Sequence, residues 1–277
     1  MTNSDKLIYK QEKRTNRTTA SDKEVERFED LAGQWWDTEG PFAPLHRINP
    51  VRLTFIRDHL CAHFGCDVTQ KKPFKYLSII DIGCGGGLIC EPLSRLGAQV
   101  MGIDAGEQNI KSSSIHATQS GLDITYEKLL PEDAAARGLL FDAVVNLEVI
   151  EHVADPEGFI SACATLVKPG GVMVCATLNR TLKSLAFAKI GAEYVLRWLP
   201  RGTHDWRLFL KPSEFCALLR GQNFTIADMK GLTYNILFDE WNLSDDLNVN
   251  YMLFAKKPIQ HKIFQLILPK ELNLSFT

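Results

Sequence analysis

The chain has 277 residues, 45% hydrophobic and 23% charged, with 31 lysines and arginines against 33 aspartates and glutamates. That length and apolar content suffice for one substantial α/β core with terminal extensions. The net charge of −2 argues against a nucleic-acid binder that works through a global positive field.

Seven scattered cysteines (Cys61, Cys66, Cys84, Cys90, Cys163, Cys175 and Cys216) include no C-x-x-C, which suits reduced thiols in a cytosol-like compartment. Residues 1–20 are polar and of mixed charge, and Asp5 and Glu12 argue against a transit peptide, so this stretch is expected to be a disordered tail. No apolar run reaches the length of about 18 residues that a membrane-spanning helix requires.

Order is expected from Ser21, where the S-x-x-E spacing of Ser21 and Glu24 predicts a capping box. The helix it opens would put Val25, Phe28, Leu31, Ala32 and Trp35 on one side. Trp35 and Trp36 then serve either as anchors on the main domain or as an aromatic lid over a hydrophobic substrate. After Pro41 and Pro44, Asn49-Pro50 predicts an N-cap and a first-turn proline for a helix over 51–64. Arg52 would lie in its first turn, a poor place for a cation in the helix dipole, and so a hint of another use.

Strand and helix alternate from Lys75 onward. Tyr76 to Ile82 reads as a strand, Leu88 to Leu96 as a helix closed by Gly97, and Gln99 to Ile103 as a strand ending at Asp104. Between the first two lies Asp81-Ile82-Gly83-Cys84-Gly85-Gly86-Gly87. A dinucleotide fingerprint, G-x-G-x-x-G, fails here because its last glycine would fall on Leu88. Acid-x-G-x-G-x-G fits instead, with Asp81, Gly83, Gly85 and Gly87, and that is the S-adenosylmethionine (SAM) loop pattern. Asp104 follows the turn by about twenty residues, where a strand-end acid accepts the hydroxyls of a ribose.

Gln108 to Ser120 predicts a helix and Ile124 to Leu129 a strand, followed by a loop at Pro131-Glu132-Asp133, the place of adenine contact in such folds. Phe141 to Leu147 is the fourth strand and runs into Glu148-Val149-Ile150-Glu151-His152-Val153. Lys168-Pro169-Gly170-Gly171 then turns the chain into strand Val172 to Thr177. The repeating pattern predicts a parallel sheet with right-handed crossovers. Residues 180–203 carry a broad apolar face with Arg180, Lys183, Lys189, Arg197 and Arg201 opposed only by Glu193. Such an insertion is either a cap on the domain or a helix lying in an anionic membrane interface. His204 and Asp205 form either a second acid–base pair or a structural hydrogen bond. Lys211-Pro212-Ser213 opens a helix, Phe224 to Met229 and Val249 to Ala255 are the last strands, and 258–277 is a tail with apolar residues of its own.

The glycine turn, Asp104, F-D-x-V-x-x-x-E at the fourth strand and K-P-G-G before the fifth resemble a class I SAM-dependent methyltransferase. More narrowly, F-E-D-L-A-G-Q-W-W-D (28–37), P-L-H-R-I-N-P-V-R-L (44–53), E-V-I-E-H-V (148–153), G-A-E-Y (191–194), G-T-H-D (202–205) and V-N-Y-M (249–252) resemble the ubiquinone-biosynthesis O-methyltransferase family. The resemblance implies a Rossmann-like three-layer α/β sandwich over 21–257. Its mostly parallel seven-stranded sheet has the order 3-2-1-4-5-7-6, the last strand antiparallel, with N-terminal helices and a helical insertion after the fifth strand. It also implies methylation of a phenolic hydroxyl of polyprenylated ubiquinone precursors, 3-demethylubiquinol or an earlier polyprenyl-catechol. Other ubiquinone-biosynthesis enzymes are candidate partners, and nucleic acid is not. The implied location is the cytoplasm, peripheral on the inner face of a bacterial membrane, or the matrix side in a mitochondrion.

Carried over by position, SAM contacts fall on Arg52 (methionine carboxylate), Gly83, Asp104 (ribose) and Leu147, with Asp133 in the adenine loop. Where Leu147 stands, other members have methionine. Methyl transfer needs the phenol deprotonated, and a phenol with a pKa of about 10 is mostly protonated at neutral pH. Glu148, Glu151 and His152 are the candidates. If the chain continued as a helix, the offsets would put all three on one side, able to share a divalent ion, which the resemblance implies is Mg²⁺. The alternative is that His152 acts alone as base. A methyltransferase of another small acceptor and a non-catalytic, membrane-docked SAM-fold subunit complete the readings open to the sequence.

Overall fold

The computed structural model describes residues 18–186, 206–235 and 237–259. Most of the insertion, including the 191–194 and 202–205 motifs with His204 and Asp205, and the tail from 260 onward lie outside the described residues. The described chain forms α1 (Asp22–Glu29), α2 (Ala43–Phe64), β1 (Ser78–Ile82), α3 (Cys90–Arg95), β2 (Gln99–Asp104), α4 (Glu107–Gln119), β3 (Thr125–Lys128) and α5 (Pro131–Ala136). There follow β4 (Phe141–Leu147), α6 (Pro156–Leu166), β5 (Val167–Leu178), α7 (Leu182–Leu185), α8 (Pro212–Gly221), β6 (Thr225–Asn235), β7 (Glu240–Ser244) and β8 (Asn250–Lys256).

The strands make one eight-stranded sheet of order β3-β2-β1-β4-β5-β8-β6-β7. β1 to β5 are parallel to their neighbours, while β8 runs antiparallel to both β5 and β6. The expected order holds, with β8 as the antiparallel strand, and β7 extends the β6 edge as a strand that the sequence reading lacked. Side chains alternate across the sheet because successive residues of a strand point to opposite faces. Ile80, Val144, Met173 and Leu253 pack with α6 and α8 residues such as Phe159 and Phe215. Ile79, Val145, Val174 and Phe254 pack with α2 and α3 residues such as Phe55, Ile56 and Leu93. Two separate cores on the two faces make the expected three-layer sandwich.

Local signals shift in five places. α2 begins at Ala43 with Pro44 in its first turn, so Pro50 lies inside the helix and Arg52 in its body. The burial of Ile48, Asn49 and Arg52 binds the early turns to the domain and outweighs the cost of the missing proline N–H. α1 stops at Glu29, and a 3₁₀ turn over Ala32–Gln34 carries the chain to Trp35. Pro131-Glu132-Asp133 is the first turn of α5, since a proline at the start fits where no helical N–H partner exists. K-P-G-G lies within β5, where the register to β4 shifts between Phe141 and Ala143. Thr19 and Ala20, assigned by sequence to the tail, are paired: Ala20 bridges Val153, and Thr19 N donates to Glu132 Oε1 at 2.7 Å.

Phe55 is 1% exposed and joins α2 to the sheet. Phe55→Ala is expected to cost about 3–5 kcal/mol in a chemical denaturation experiment, through lost transfer energy and the cavity left behind.

Candidate functional site

Parallel strands β1, β2 and β4 end on the same edge of the sheet, and a cavity of about 310 Å³ opens there. Its floor is the glycine turn after β1, where Gly83 and Gly85 have φ of 70° and 52°. L-residues avoid that region, and glycine reaches it without strain. Gly83 N and Cys84 N both donate to Ile103 O, at 2.8 and 3.0 Å, tying the turn to β2. A Cβ on Gly83 would stand 2.6 Å from Val149 Cγ2, so the turn and the loop after β4 are in close contact.

Asp104, at the end of β2, accepts from Gly85 N (3.0 Å), Gly106 N (2.8 Å) and Asn109 Nδ2 (3.0 Å). Burial pushes its carboxyl above the usual range despite these bonds. Asp81, 3% exposed, accepts from Cys90 Sγ at 3.2 Å, and desolvation raises it to about 7.

The roof is the N-terminal segment. Trp35 lies on the glycine turn, where a Cβ on Gly85 would be 2.5 Å from its ring, and its Nε1 donates to Asn109 Oδ1 at 2.9 Å. Trp36 Nε1 donates to Gly86 O at 2.9 Å, and its ring stacks on His116 at 3.5 Å. Trp35 also stacks on Phe42, at a centroid distance of 3.7 Å. Both tryptophans anchor the segment, and Trp35, with Phe28 and Phe42, also lines the cavity, whereas Trp36 does not.

At the far end, Glu148 has φ 56°, an uncommon conformation for a residue with a side chain. Its carboxylate meets Arg52 Nη2 at 2.5 Å. Arg52 is 4% exposed, its Nη1 is 3.4 Å from Asn49 Oδ1, and its Nε finds no acceptor among the described residues. Glu151 is buried behind the cavity wall and accepts from Thr177 Oγ1 at 2.9 Å, with Oε1 unpartnered. Burial, reinforced by the charge of Glu148, drives its carboxyl well above the usual range. His152 lines the cavity with Nδ1 2.9 Å from Glu24 Oε2.

Comparison with known proteins fixes the family. A profile described as a methyltransferase domain matches residues 25–228. Ubiquinone biosynthesis O-methyltransferases from Chelativorans sp. (strain BNC1) and Mesorhizobium japonicum are 53% and 52% identical to the chain, each over 87% of it and over 96% and 97% of their own lengths. The enzyme of that name from Dinoroseobacter shibae is 51% identical over 88% of this chain and 99% of its own. This chain belongs to that family. Among solved structures, magnesium protoporphyrin IX methyltransferase from Synechocystis PCC 6803 with bound SAM covers 87% of the chain and 100% of its own, with a TM-score of 0.54 at 17% identity. That likeness speaks to the fold alone.

In this ubiquinone biosynthesis O-methyltransferase relative, Arg52, Asp81, Gly83, Gly85, Asp104, Leu147, Glu148 and His152 line one cavity. Three expected residues do not. Gly87 is reserved for packing, since a Cβ there would collide with the Tyr126 hydroxyl. Asp133 is exposed on α5, while its neighbours Leu130 and Pro131 line the cavity. Glu151 stands behind the wall.

Nor do all three of Glu148, Glu151 and His152 converge: the first two keep their carboxyls close, but His152 turns away, because the expected helical continuation is absent. The left-handed Glu148 and the 3₁₀ turn Ile150–His152 turn the three side chains towards Arg52, Thr177 and Glu24 respectively. Among the described residues no group of three or more His, Cys, Asp or Glu is placed to hold a metal ion, so this arrangement does not fit the three-ligand Mg²⁺ site. Glu24, Trp35 and Asn109 are the site residues that the sequence reading did not assign. Only the tandem tryptophans gave a signal.

Because Asp81 titrates at about 7 in the folded chain against 3.8 ordinarily, the folded state holds a proton that the unfolded state has lost across that window. Stability should therefore fall as pH rises from about 4 to about 7. Asp81→Asn is expected to make that decline shallower, as read by melting temperature against pH.

Proposed function

We propose that the chain transfers the methyl group of SAM to a phenolic hydroxyl of a polyprenylated ubiquinone precursor, 3-demethylubiquinol above all. The observation that carries this reading is the single cavity that joins the glycine turn and Asp104 to Glu148 and His152. SAM, the donor of the family, lies with its ribose hydroxyls on Asp104 Oδ2 and its methionine carboxylate at the unpartnered Nε of Arg52, a charge-assisted contact. Glu148 holds the guanidinium in place, and Leu147 borders the methyl-bearing end.

His152 is the general base. An ionised Glu24 only accepts, so Nδ1 carries the proton and Nε2 the lone pair. As Nε2 takes the phenol proton, the oxygen attacks the SAM methyl group in line. The C–O bond forms, the methyl–sulfur bond breaks, and its electron pair stays on sulfur, giving the methyl ether and S-adenosylhomocysteine. Phe28, Phe42, Leu45 and Leu178 supply an apolar wall for the ring and the start of its prenyl chain, and exclude water. Capture of a divalent ion by Glu148, Glu151 and His152 would require Glu148 to leave Arg52 and His152 to leave Glu24.

Contact with anionic lipid is the second part of the proposal. It is supported by the 78% exposure of Leu182 and by Lys189 and Arg197 in the sequence beyond it, opposed there only by Glu193. Arg180 and Lys183 contribute less, being engaged by Glu214 and Asp246. No helix among the described residues is long and apolar enough to cross a membrane.

Incubation with labelled SAM and a short-chain demethylubiquinol is expected to give a labelled methyl ether. SAM binding without transfer would return the chain to another acceptor or to a non-catalytic role. Arg52→Ala is expected to weaken SAM binding by about tenfold or more in calorimetry, with the fold retained by circular dichroism. Reversing Lys189 and Arg197 to glutamate should weaken binding to phosphatidylglycerol vesicles by about tenfold or more. Unchanged binding would make the insertion a cap.

A further inference from the structure

Glu24 sits where the S-x-x-E spacing predicts a capping box, yet Ser21 makes no side-chain cap bond. The Glu24 carboxylate instead reaches across to His152, whose Nδ1 lies 2.9 Å from Oε2, between residues 128 apart in the chain. Phe28, one turn further along α1, meets the same imidazole edge-on, with centroids 5.4 Å apart and planes at 86°. Immediately after His152, Val153 pairs with Ala20, and Ala154 N donates to Thr19 O at 2.8 Å. The N-terminal segment thus grips the ring, its nitrogen and the backbone that follows. Arg27 lies 3.5 Å from the same Glu24 oxygen and supports the carboxylate from the outer side.

We propose that Glu24 is a positioning residue for the methyl transfer: it fixes the tautomer and the orientation of the His152 ring, so that α1 completes the acceptor end of the site. The proposal rests on the reading of His152 as the base. Three physical points support it. A carboxylate cannot donate, so the bond is satisfied only with the proton on Nδ1 and the lone pair on Nε2. A negative charge beside Nδ1 also stabilises the imidazolium formed once the phenol proton has moved. The bond to His152 in turn lowers the Glu24 pKa, which keeps the carboxylate ionised. A mere helix anchor would need none of the charge, since an amide oxygen at the same place would hold the segment equally well.

Glu24→Gln keeps the shape and an acceptor but removes the charge. It is expected to lower kcat by about 10–100-fold while leaving the Kd for SAM within about threefold. Glu24→Asp is expected to recover part of the loss. In ¹⁵N-histidine NMR, His152 should be the Nδ1-protonated tautomer in the unaltered chain and a mixture in Glu24→Gln. Glu132→Ala, which removes both partners of Thr19 and so loosens the same segment, serves as the anchor control, with kcat expected to stay within about twofold. An unchanged kcat in Glu24→Gln, or a fall matched by Glu132→Ala, would overturn the proposal. His152→Asn separates it from the reading beneath: if that variant stays active, the base assignment itself fails. If it is inactive while Glu24→Gln turns over normally, only the role of Glu24 falls. With both correct, the Glu24→Gln/His152→Asn double variant is no slower than His152→Asn alone.

Discussion

Two tryptophan rings resting on glycines without side chains close this site. Trp35 occupies the space that Cβ atoms on Gly85 and Gly86 would fill, and Trp36 donates to the Gly86 carbonyl. The glycine turn therefore has two roles: its left-handed backbone brings main chain close to a ligand on one side and accepts an indole on the other. Without that contact the N-terminal segment would keep only its attachments at Thr19, Ala20 and Glu24. Phe28, Phe42 and Glu24 would then be absent from the cavity that they line.

Two neighbouring carboxyls at the far end of the cavity have different partners. Glu148, held in the left-handed region, is paired with the buried Arg52, while Glu151 sits behind the wall, bonded to Thr177. Burial and the nearby charge of Glu148 both raise the Glu151 carboxyl above its usual range. The imidazole of His152 is thereby left to a third carboxylate, brought by a different part of the chain. Under the proposed reaction, that division assigns one group to the cofactor end, one to support and one to the proton.

Family and fold agree at different depths. Relatives at about half identity share nearly the whole chain, whereas a solved methyltransferase of another substrate shares only the architecture at 17% identity. In this chain the N-terminal roof and the loop after β4 meet on the platform of the parallel strands.

Much of this was legible in the sequence because its signals are local. Alternating apolar runs and breakers gave β1, β2, β4 and the parallel sheet. The failure of the dinucleotide pattern at Leu88 pointed to SAM, and Asp104 fell at the strand end where a ribose partner belongs. Arg52, Gly83, Leu147 and His152 came with the family resemblance and do meet in one cavity. Tertiary structure alone decided the rest. Glu24 carries the spacing of a cap, and nothing within its own helix reveals a partner 128 residues away. Glu148, Glu151 and His152 carry the spacing of one helical face, but a single left-handed residue and a 3₁₀ turn disperse them. Pro50 reads as a helix start and is a helix interior, because burial of the turns before it outweighs one lost hydrogen bond. Periodicity records how a segment folds on itself; which buried charge meets which is set by packing between segments, and that leaves no spacing to read.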